Sequence, residues 1–131
     1  MNIKWTMVAL ASLSFVAVSQ TAWGRGSDWN SDFGPVHLDI NPDGSVSGRY
    51  TNYQGTLAGQ VAEDGSLRLL WLQPTSERRC HTPQVGTRYW GRLTWRSSDD
   101  GNRLWGEWSY CDEAPGSGGQ WNATLRRGSL P

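Results

Sequence analysis

Aromatic side chains are the residues of this chain whose type and spacing could hold a ligand. The stretch 89–108, YWGRLTWRSSDDGNRLWGEW, contains five aromatic residues and three glycines. Indole and phenol rings offer flat apolar surface with a polar edge, which suits the wall of a small-molecule pocket or the packed core of a small protein. Both alternatives stay open until the strands that carry the rings are assigned.

A second candidate site occupies the alternate positions of the same stretch. Arg88, Trp90 and Arg92 alternate along it, and Trp105 follows in the next apolar run. Arginine over an indole face is favourable through cation–π contact, and both residue types are enriched at binding hot spots. These four residues predict an outward interaction surface, with a solvated face or a subunit interface of a homo-oligomer as the alternatives.

Residues suited to acid–base, covalent or metal chemistry are few. The two histidines, His37 and His81, accompany no nucleophile motif, paired-carboxylate setting or phosphate-binding loop. Cys80 and Cys111 lack the further ligands that a metal site needs. We therefore expect no enzymatic activity, no metal and no cofactor, and we expect the two cysteines of an exported chain to form a disulfide.

The first 24 residues have the pattern of a secretory signal peptide. Lys4 precedes the apolar run WTMVALASLSFVAV, and the small residues Ala22 and Gly24 follow it. The run is short for a membrane span. The pattern predicts a bacterial protein that is secreted or periplasmic, cleaved after Gly24 or Ser19 and free of the membrane afterwards; a retained amphipathic anchor is the alternative.

Residues 25–131 are of a length typical of a single domain. Of the twelve basic residues, Lys4 lies in the predicted signal, which leaves eleven arginines against twelve acidic residues. This near-neutral balance argues against nucleic acid as a partner.

Short alternating runs between turn signals predict an all-β domain. Asp-Gly followed by a small polar residue recurs in NPDGS (41–45), AEDGS (62–66) and SDDGN (98–102), and each is typical of a hairpin turn. The predicted strands are 35–40, 45–51, 56–61, 66–73, 87–96, 103–110 and 120–126, and a short piece around Trp29 is an eighth strand or a plug.

Hairpin registers assign the two faces of the strands. In the first hairpin Leu38 should face Gly48, and in the second Gly59 should face Leu69, which gathers the apolar residues on one side. For the third hairpin we expect Trp95 opposite Leu104, Gly91 opposite Trp108, Tyr89 opposite Tyr110 and Arg92 opposite Glu107. This register turns two aromatic residues inward, Tyr89 and Trp108, and two outward, Trp90 and Trp105.

A mid-strand glycine recurs in the pattern apolar-x-Gly-x-apolar, as VSGRY (46–50), LAGQV (57–61), YWGRL (89–93) and LWGEW (104–108). Inward glycines allow strands to coil tightly, and closure removes exposed sheet edges. We predict a small antiparallel up-and-down β-barrel of seven or eight strands. The glycines should also leave space that aromatic residues at the rim enclose as a pocket.

From about Trp29 to Leu125, the motifs WNSDFGP, DGSVSGRY, LAGQV, LLWLQ and WNATL follow in an order that resembles the avidin and streptavidin family. The resemblance implies a barrel mouth walled by Tyr50, Trp71, Trp108 and Trp121, with Tyr89 where a tryptophan is expected. It places Ser31 roughly at a ligand-binding asparagine. Pro35 replaces a serine of the family, and the carboxylate of the last strand has no counterpart, so tight biotin binding is not expected.

These features predict an exported, non-enzymatic binding protein that holds a small molecule of unknown identity. Its ligand-binding residues would be Tyr50, Trp71, Tyr89, Trp108, Trp121 and Ser31. The alternative is a secreted protein-interaction module, such as a protease inhibitor. Its protein partner would contact the loop 74–86 or the surface formed by Arg88, Trp90, Arg92 and Trp105.

Overall fold

The computed structural model describes residues 26–131, and the predicted signal peptide lies outside the described residues. The elements are β1 Ser27–Ser31, β2 Gly34–Ile40, β3 Ser45–Tyr50, a 3-10 helix Thr51–Tyr53, β4 Gly55–Val61, β5 Leu67–Gln73, β6 Tyr89–Ser97, β7 Arg103–Tyr110, β8 Gly119–Gln120 and β9 Ala123–Gly128. Within this range no helix is long and apolar enough to cross a membrane.

Eight of the strands close into an antiparallel barrel, which confirms the predicted fold. Strands β1 to β7 pair in chain order, and β9 pairs with both β1 and β7 to complete the ring. The segment around Trp29 is therefore the eighth strand, β1. The two-residue strand β8 is an addition that pairs only with β7.

The predicted strand limits agree with the observed ones to within two residues, except for the last strand. The predicted strand 120–126 is divided into β8 and β9 at Trp121 and Asn122. There the Trp121 amide donates to the Gly106 carbonyl at 2.9 Å, and the Asn122 side chain accepts from the Gly106 amide at 3.1 Å. An amide side chain thus takes one place in the backbone ladder, and the strand is interrupted.

The first two hairpins have the predicted registers. Leu38 faces Gly48 in the β2–β3 pair, and Gly59 faces Leu69 in the β4–β5 pair. Each turn is closed by its aspartate, since Asp43 accepts the Ser45 amide proton at 2.9 Å. Asp64 does the same for the equivalent serine, Ser66, at 3.0 Å.

The predicted register of the third hairpin is wrong by two residues. Trp95 faces Gly106 instead of Leu104, Gly91 faces Tyr110 instead of Trp108, and Thr94 instead of Arg92 faces Glu107. The physical reason is that the turn is tighter than the predicted strand limits, 96 and 103, imply. Ser98 and Arg103 already pair through a 3.0 Å hydrogen bond, so only residues 99–102 form the loop. Because a shift of two preserves the alternation of a strand, the inward and outward faces stay as predicted.

The middle of the barrel is filled by side chains. Trp29 and Trp95 are both 0% exposed. A Cβ atom on Gly91 would overlap the Trp71 ring, and one on Gly106 would collide with Trp95. The expectation that these glycines leave space for a ligand is wrong, because large rings lie directly against them.

The long connection between β5 and β6 folds against the outside of the barrel. The predicted disulfide between Cys80 and Cys111 joins this connection to the residue after β7. Trp90 is buried beneath it with Leu72 and Cys80, and its indole donates to the Thr82 carbonyl at 2.7 Å. The disulfide and the Trp90 hydrogen bond thus both hold the connection against the barrel.

Candidate functional site: an aromatic barrel mouth

One end of the barrel opens into a cavity of about 460 Å³, a volume suited to a small ligand. Its walls come from the ends of β3, β5 and β7, from the β1–β2 turn, the 3-10 helix and the β5–β6 connection, and from Trp121 between β8 and β9. Six lining residues are aromatic, namely Phe33, Tyr50, Tyr53, Trp108, Tyr110 and Trp121. Gln73 and residues 75–77 of the β5–β6 connection complete the lining.

The rings of the cavity pack edge to face. Phe33 lies 5.0 Å from Trp121 and 5.8 Å from Trp108, measured between ring centroids. Trp121 lies 4.9 Å from Tyr50, and Trp108 lies 5.0 Å from Tyr110. These four ring pairs meet at angles of 74° to 88°, a favoured aromatic geometry that fixes each ring against its neighbour.

Trp71 and Trp95 support this wall from behind. The buried Trp71 ring lies 6.0 Å from Trp108, and its indole donates to the Ser109 carbonyl at 3.0 Å. The Trp95 indole donates to the Trp121 carbonyl at 2.6 Å. Trp71 was predicted in the wall itself, and the structure places it one layer deeper, where it holds the wall in position.

Ser31 also lies behind the wall. Its hydroxyl accepts the Trp121 indole proton at 2.9 Å and donates to the Gly34 carbonyl at 2.6 Å, while the Phe33 amide approaches it at 3.2 Å. Because protein groups use the hydroxyl in this way, Ser31 orients Trp121 and is not one of the residues that line the cavity.

Tyr110 occupies the place expected for Tyr89. The two-residue shift pairs Tyr110 with Gly91, so Tyr89 lies beyond the last β6–β7 pair, next to Gln73. Tyr89 is half-buried, and it does not belong to the described lining, whereas Tyr110 does. Tyr110 lies two residues after Trp108 in β7, so the alternation of the strand could have indicated it, whereas Phe33 and Tyr53 carry no strand periodicity that would have indicated them.

Two tyrosines of the lining have raised pKa values. Burial is the main cause of the raised pKa of Tyr50, whose hydroxyl donates to the Gln73 side chain at 2.7 Å. Burial, followed by the negative charge of Glu77, raises the pKa of Tyr110. Both phenols are therefore neutral at physiological pH.

The second candidate surface is divided by the β5–β6 connection. Trp90 was predicted to be exposed and is only 4% exposed, and the half-buried Arg88 donates to the carbonyls of Cys80 and His81. Both residues were expected on a free surface, and that expectation is wrong because the connection covers them. Arg92 and Trp105 are exposed as predicted.

Trp105 lies instead with a different set of residues. It faces Arg96 across the β6–β7 pair and is 52% exposed. It borders an outer groove of about 430 Å³ that Arg68 and Asn122 also line. Arg68 and Arg96 both approach Asp64, at 3.7 and 3.5 Å.

His37 lies on the outer face opposite Arg49, as predicted. Its Nδ1 is 2.7 Å from Asp28, and its Nε2 is 3.1 Å from Asp39. The hydrogen bond from His37 is the main cause of the lowered pKa of Asp28. Carboxylates thus lie next to both ring nitrogens of His37. Residues 26–131 contain no group of three or more His, Cys, Asp or Glu arranged to hold a metal ion.

No family model, curated protein or solved structure matches this chain significantly. The resemblance to the avidin family thus stays a prediction from short motifs. The mouth presents six aromatic rings around a space large enough for a small molecule.

Proposed function

We propose that this protein is an exported binding protein without catalytic activity, and that it holds a small molecule in the aromatic barrel mouth. The observation that carries this proposal is the cavity of about 460 Å³ lined by six aromatic residues. Apolar surface left facing water is unfavourable, and a ligand that covers it removes that surface from solvent.

The filled interior of the barrel supports a site at the mouth. Trp71 and Trp95 occupy the space beside the inward glycines, so the cavity is bounded below by packed side chains. The wall residue Trp121 is fixed by hydrogen bonds to its indole and its carbonyl. A wall fixed before binding reduces the ordering entropy that a ligand must overcome.

The avidin-like assignment is part of the proposal, with a changed set of polar contacts. Tyr50, Trp108 and Trp121, which the resemblance placed in the wall, line the cavity. Ser31 is engaged by Trp121, so we place no ligand contact there and do not propose biotin as the ligand. The signal-like N-terminus and the Cys80–Cys111 disulfide support export to an oxidising compartment.

A neutral environment-sensitive dye, 6-propionyl-2-dimethylaminonaphthalene, tests the proposal. Its emission should increase and shift to the blue on adding the protein, with energy transfer from tryptophan and saturation at one dye per chain. Trp108→Ala should abolish the change. Trp105→Ala removes the same kind of side chain from the outer face and should leave the change intact. A dye response lost with Trp105 and retained without Trp108 would contradict the proposal.

A protein-interaction function at the outer face is the second candidate. The observation that favours it is Trp105, a large apolar side chain that is half exposed beside Arg96. Tryptophan and arginine are among the residue types enriched at protein-binding hot spots. On this alternative, loss of Trp105 should weaken capture of a protein partner from the same organism's culture medium, and loss of Trp108 should not.

A further inference from the structure

We propose that the barrel mouth selects small organic cations, such as molecules that carry a trimethylammonium group. This inference rests on the small-molecule binding proposed above and names the class of ligand. Three features of the mouth support it: its charge, its aromatic rings and the use of its hydrogen-bond donors.

The charge of the lining is negative. Glu77 is the one charged residue among the described lining residues, and its carboxylate forms no ion pair with any other residue in the range 26–131. The nearest arginine in the chain, Arg78, is already paired with Glu113 and lies over the Tyr110 ring, 4.7 Å from its centroid. The Arg78–Glu113 pair is neutral as a unit, so the charge that a ligand meets in the lining is that of Glu77.

The rings of the lining lie at steep angles to one another. Phe33 is nearly perpendicular to both Trp108 and Trp121, at 88° and 79°, and Trp121 is at 81° to Tyr50. With six rings around one space, a ligand there lies against aromatic surface on several sides. Ring faces carry the negative part of the aromatic quadrupole, and several of them around one space are how proteins hold quaternary ammonium groups.

Four side chains of the mouth donate hydrogen bonds to protein acceptors. The Tyr50 hydroxyl donates to Gln73, whose amide donates in turn to the Thr75 carbonyl. The Trp121 indole donates to Ser31, and the Ser76 hydroxyl donates to the Arg78 carbonyl. An anion needs donors, whereas a quaternary ammonium group needs none. With these four donors in use and the Glu77 carboxylate in the lining, a cation is favoured over an anion of the same size.

Three probes of nearly equal shape test this inference, namely choline, its neutral carbon isostere 3,3-dimethylbutan-1-ol, and the anion 3,3-dimethylbutanoate. Each is measured by tryptophan fluorescence and by displacement of the neutral naphthalene dye. We expect choline to bind about tenfold more tightly than the neutral isostere, a difference between those of an exposed and of a fully desolvated cation–π contact. The anion should bind more weakly than either.

Glu77→Gln measures how much the carboxylate charge, as distinct from the aromatic rings, contributes to choline affinity. It should weaken choline binding about threefold, in the range of one exposed ion pair, and should leave the neutral isostere unchanged. Glu77→Lys should weaken choline further and improve binding of the anion. Glu63→Gln, which removes an exposed carboxylate from the β4–β5 turn at the other end of the barrel, is the matched control and should change none of the three affinities.

The outcomes distinguish this inference from the proposed function. Equal binding of choline and its neutral isostere, with both lost in Trp108→Ala, would overturn cation selection and leave the small-molecule pocket intact. Tighter binding of the anion than of choline would also overturn it. If neither the probes nor the dye binds, the pocket itself is refuted, and cation selection fails with it.

Discussion

Trp95 and Trp105 belong to the same hairpin but lie on opposite faces of it. Trp95 is 0% exposed and its indole proton is bound by the Trp121 carbonyl, whereas Trp105 is 52% exposed. Trp95→Ala should lower the free energy of unfolding by about 3 to 5 kcal/mol, because it leaves a large cavity. Trp105→Ala should lower it by about 1 kcal/mol or less.

Urea unfolding of the two variants measures this difference, provided that both retain the denaturant slope of the parent protein. Trp105→Ala serves as the matched control for Trp95→Ala, since it deletes the same number of atoms. Equal losses of stability would show that the faces of β6 and β7 are assigned incorrectly.

Gly91 is the glycine whose replacement should be least tolerated. A Cβ atom there would overlap the carbonyl oxygen of Ser109 and the ring of Trp71, both of which are buried. Gly91→Ala should destabilise the barrel by about 2 to 3 kcal/mol through overpacking. Ser47→Ala, at an exposed position of β3, should stay within about 0.5 kcal/mol of the parent in the same thermal-unfolding assay. A neutral Gly91→Ala variant would contradict the close packing described for this strand.

At the scale of elements, the aspartates of the three Asp-Gly turns link folding to pH. The pKa of Asp64 is lowered to about 2, first by the hydrogen bond from the Ser66 hydroxyl and then by the Ser66 amide. Hydrogen bonds within the turns also lower the pKa values of Asp43 and Asp100. Each group binds a proton more weakly in the folded state. Its contribution to stability is full above the ordinary value of 3.8 and is lost as the pH falls through the folded value.

Asp64→Asn should therefore lower the urea midpoint at neutral pH, and its difference from the parent should shrink as the pH falls from 4 towards 2. Urea midpoints across this pH range make the comparison. Glu63→Asn, at the neighbouring exposed position, controls for the loss of a negative charge without the turn hydrogen bonds. A difference that stays constant down to pH 2 would contradict the role given to the carboxylate.

The β5–β6 connection couples the disulfide to the mouth. It supplies residues 75–77 of the cavity wall, and Cys80 anchors it to Cys111. Removing the disulfide with the double change Cys80→Ser and Cys111→Ser should lower the free energy of unfolding by about 3 to 4 kcal/mol in the chain-entropy model. Amide hydrogen exchange should accelerate at Gln84 and Thr87, whose amide protons are bonded within the connection, while the β2–β3 amides stay protected. Unchanged exchange at Gln84 would show that Trp90 alone holds the connection.

Local patterns in the sequence predict most of the elements, because each hairpin carries its own turn and alternation. The registers at Gly48 and Gly59 follow from turns with a three-residue loop, in which the aspartate fixes the geometry. SDDGN does not determine its own loop length, so the predicted third register differs from the observed one by two residues. Trp90 shows a second limit, since alternation predicts that it points outward but not that a distant connection covers it.

At the scale of the whole molecule, the barrel has a filled middle and two different ends. The end with the three Asp-Gly turns holds a recess of about 250 Å³ that Leu130 and Pro131 of the C-terminus line. Leu130 packs against the main core there. The opposite end keeps its larger aromatic cavity. No local pattern in the sequence predicts which end stays open, because that depends on how Phe33, Tyr53 and the β5–β6 connection meet in space.

The central claim is that the aromatic mouth, and not the outer face, binds a small molecule. The most direct test is fluorine NMR of protein labelled with 5-fluorotryptophan, with each resonance assigned by a single Trp→Phe variant, during titration with choline and with the neutral naphthalene dye. We predict saturable shifts for Trp108 and Trp121, smaller ones for Trp71 behind them, and none for Trp105 or Trp90. Shifts confined to Trp105, or no saturable shift at Trp108 and Trp121 with either probe, would contradict the claim.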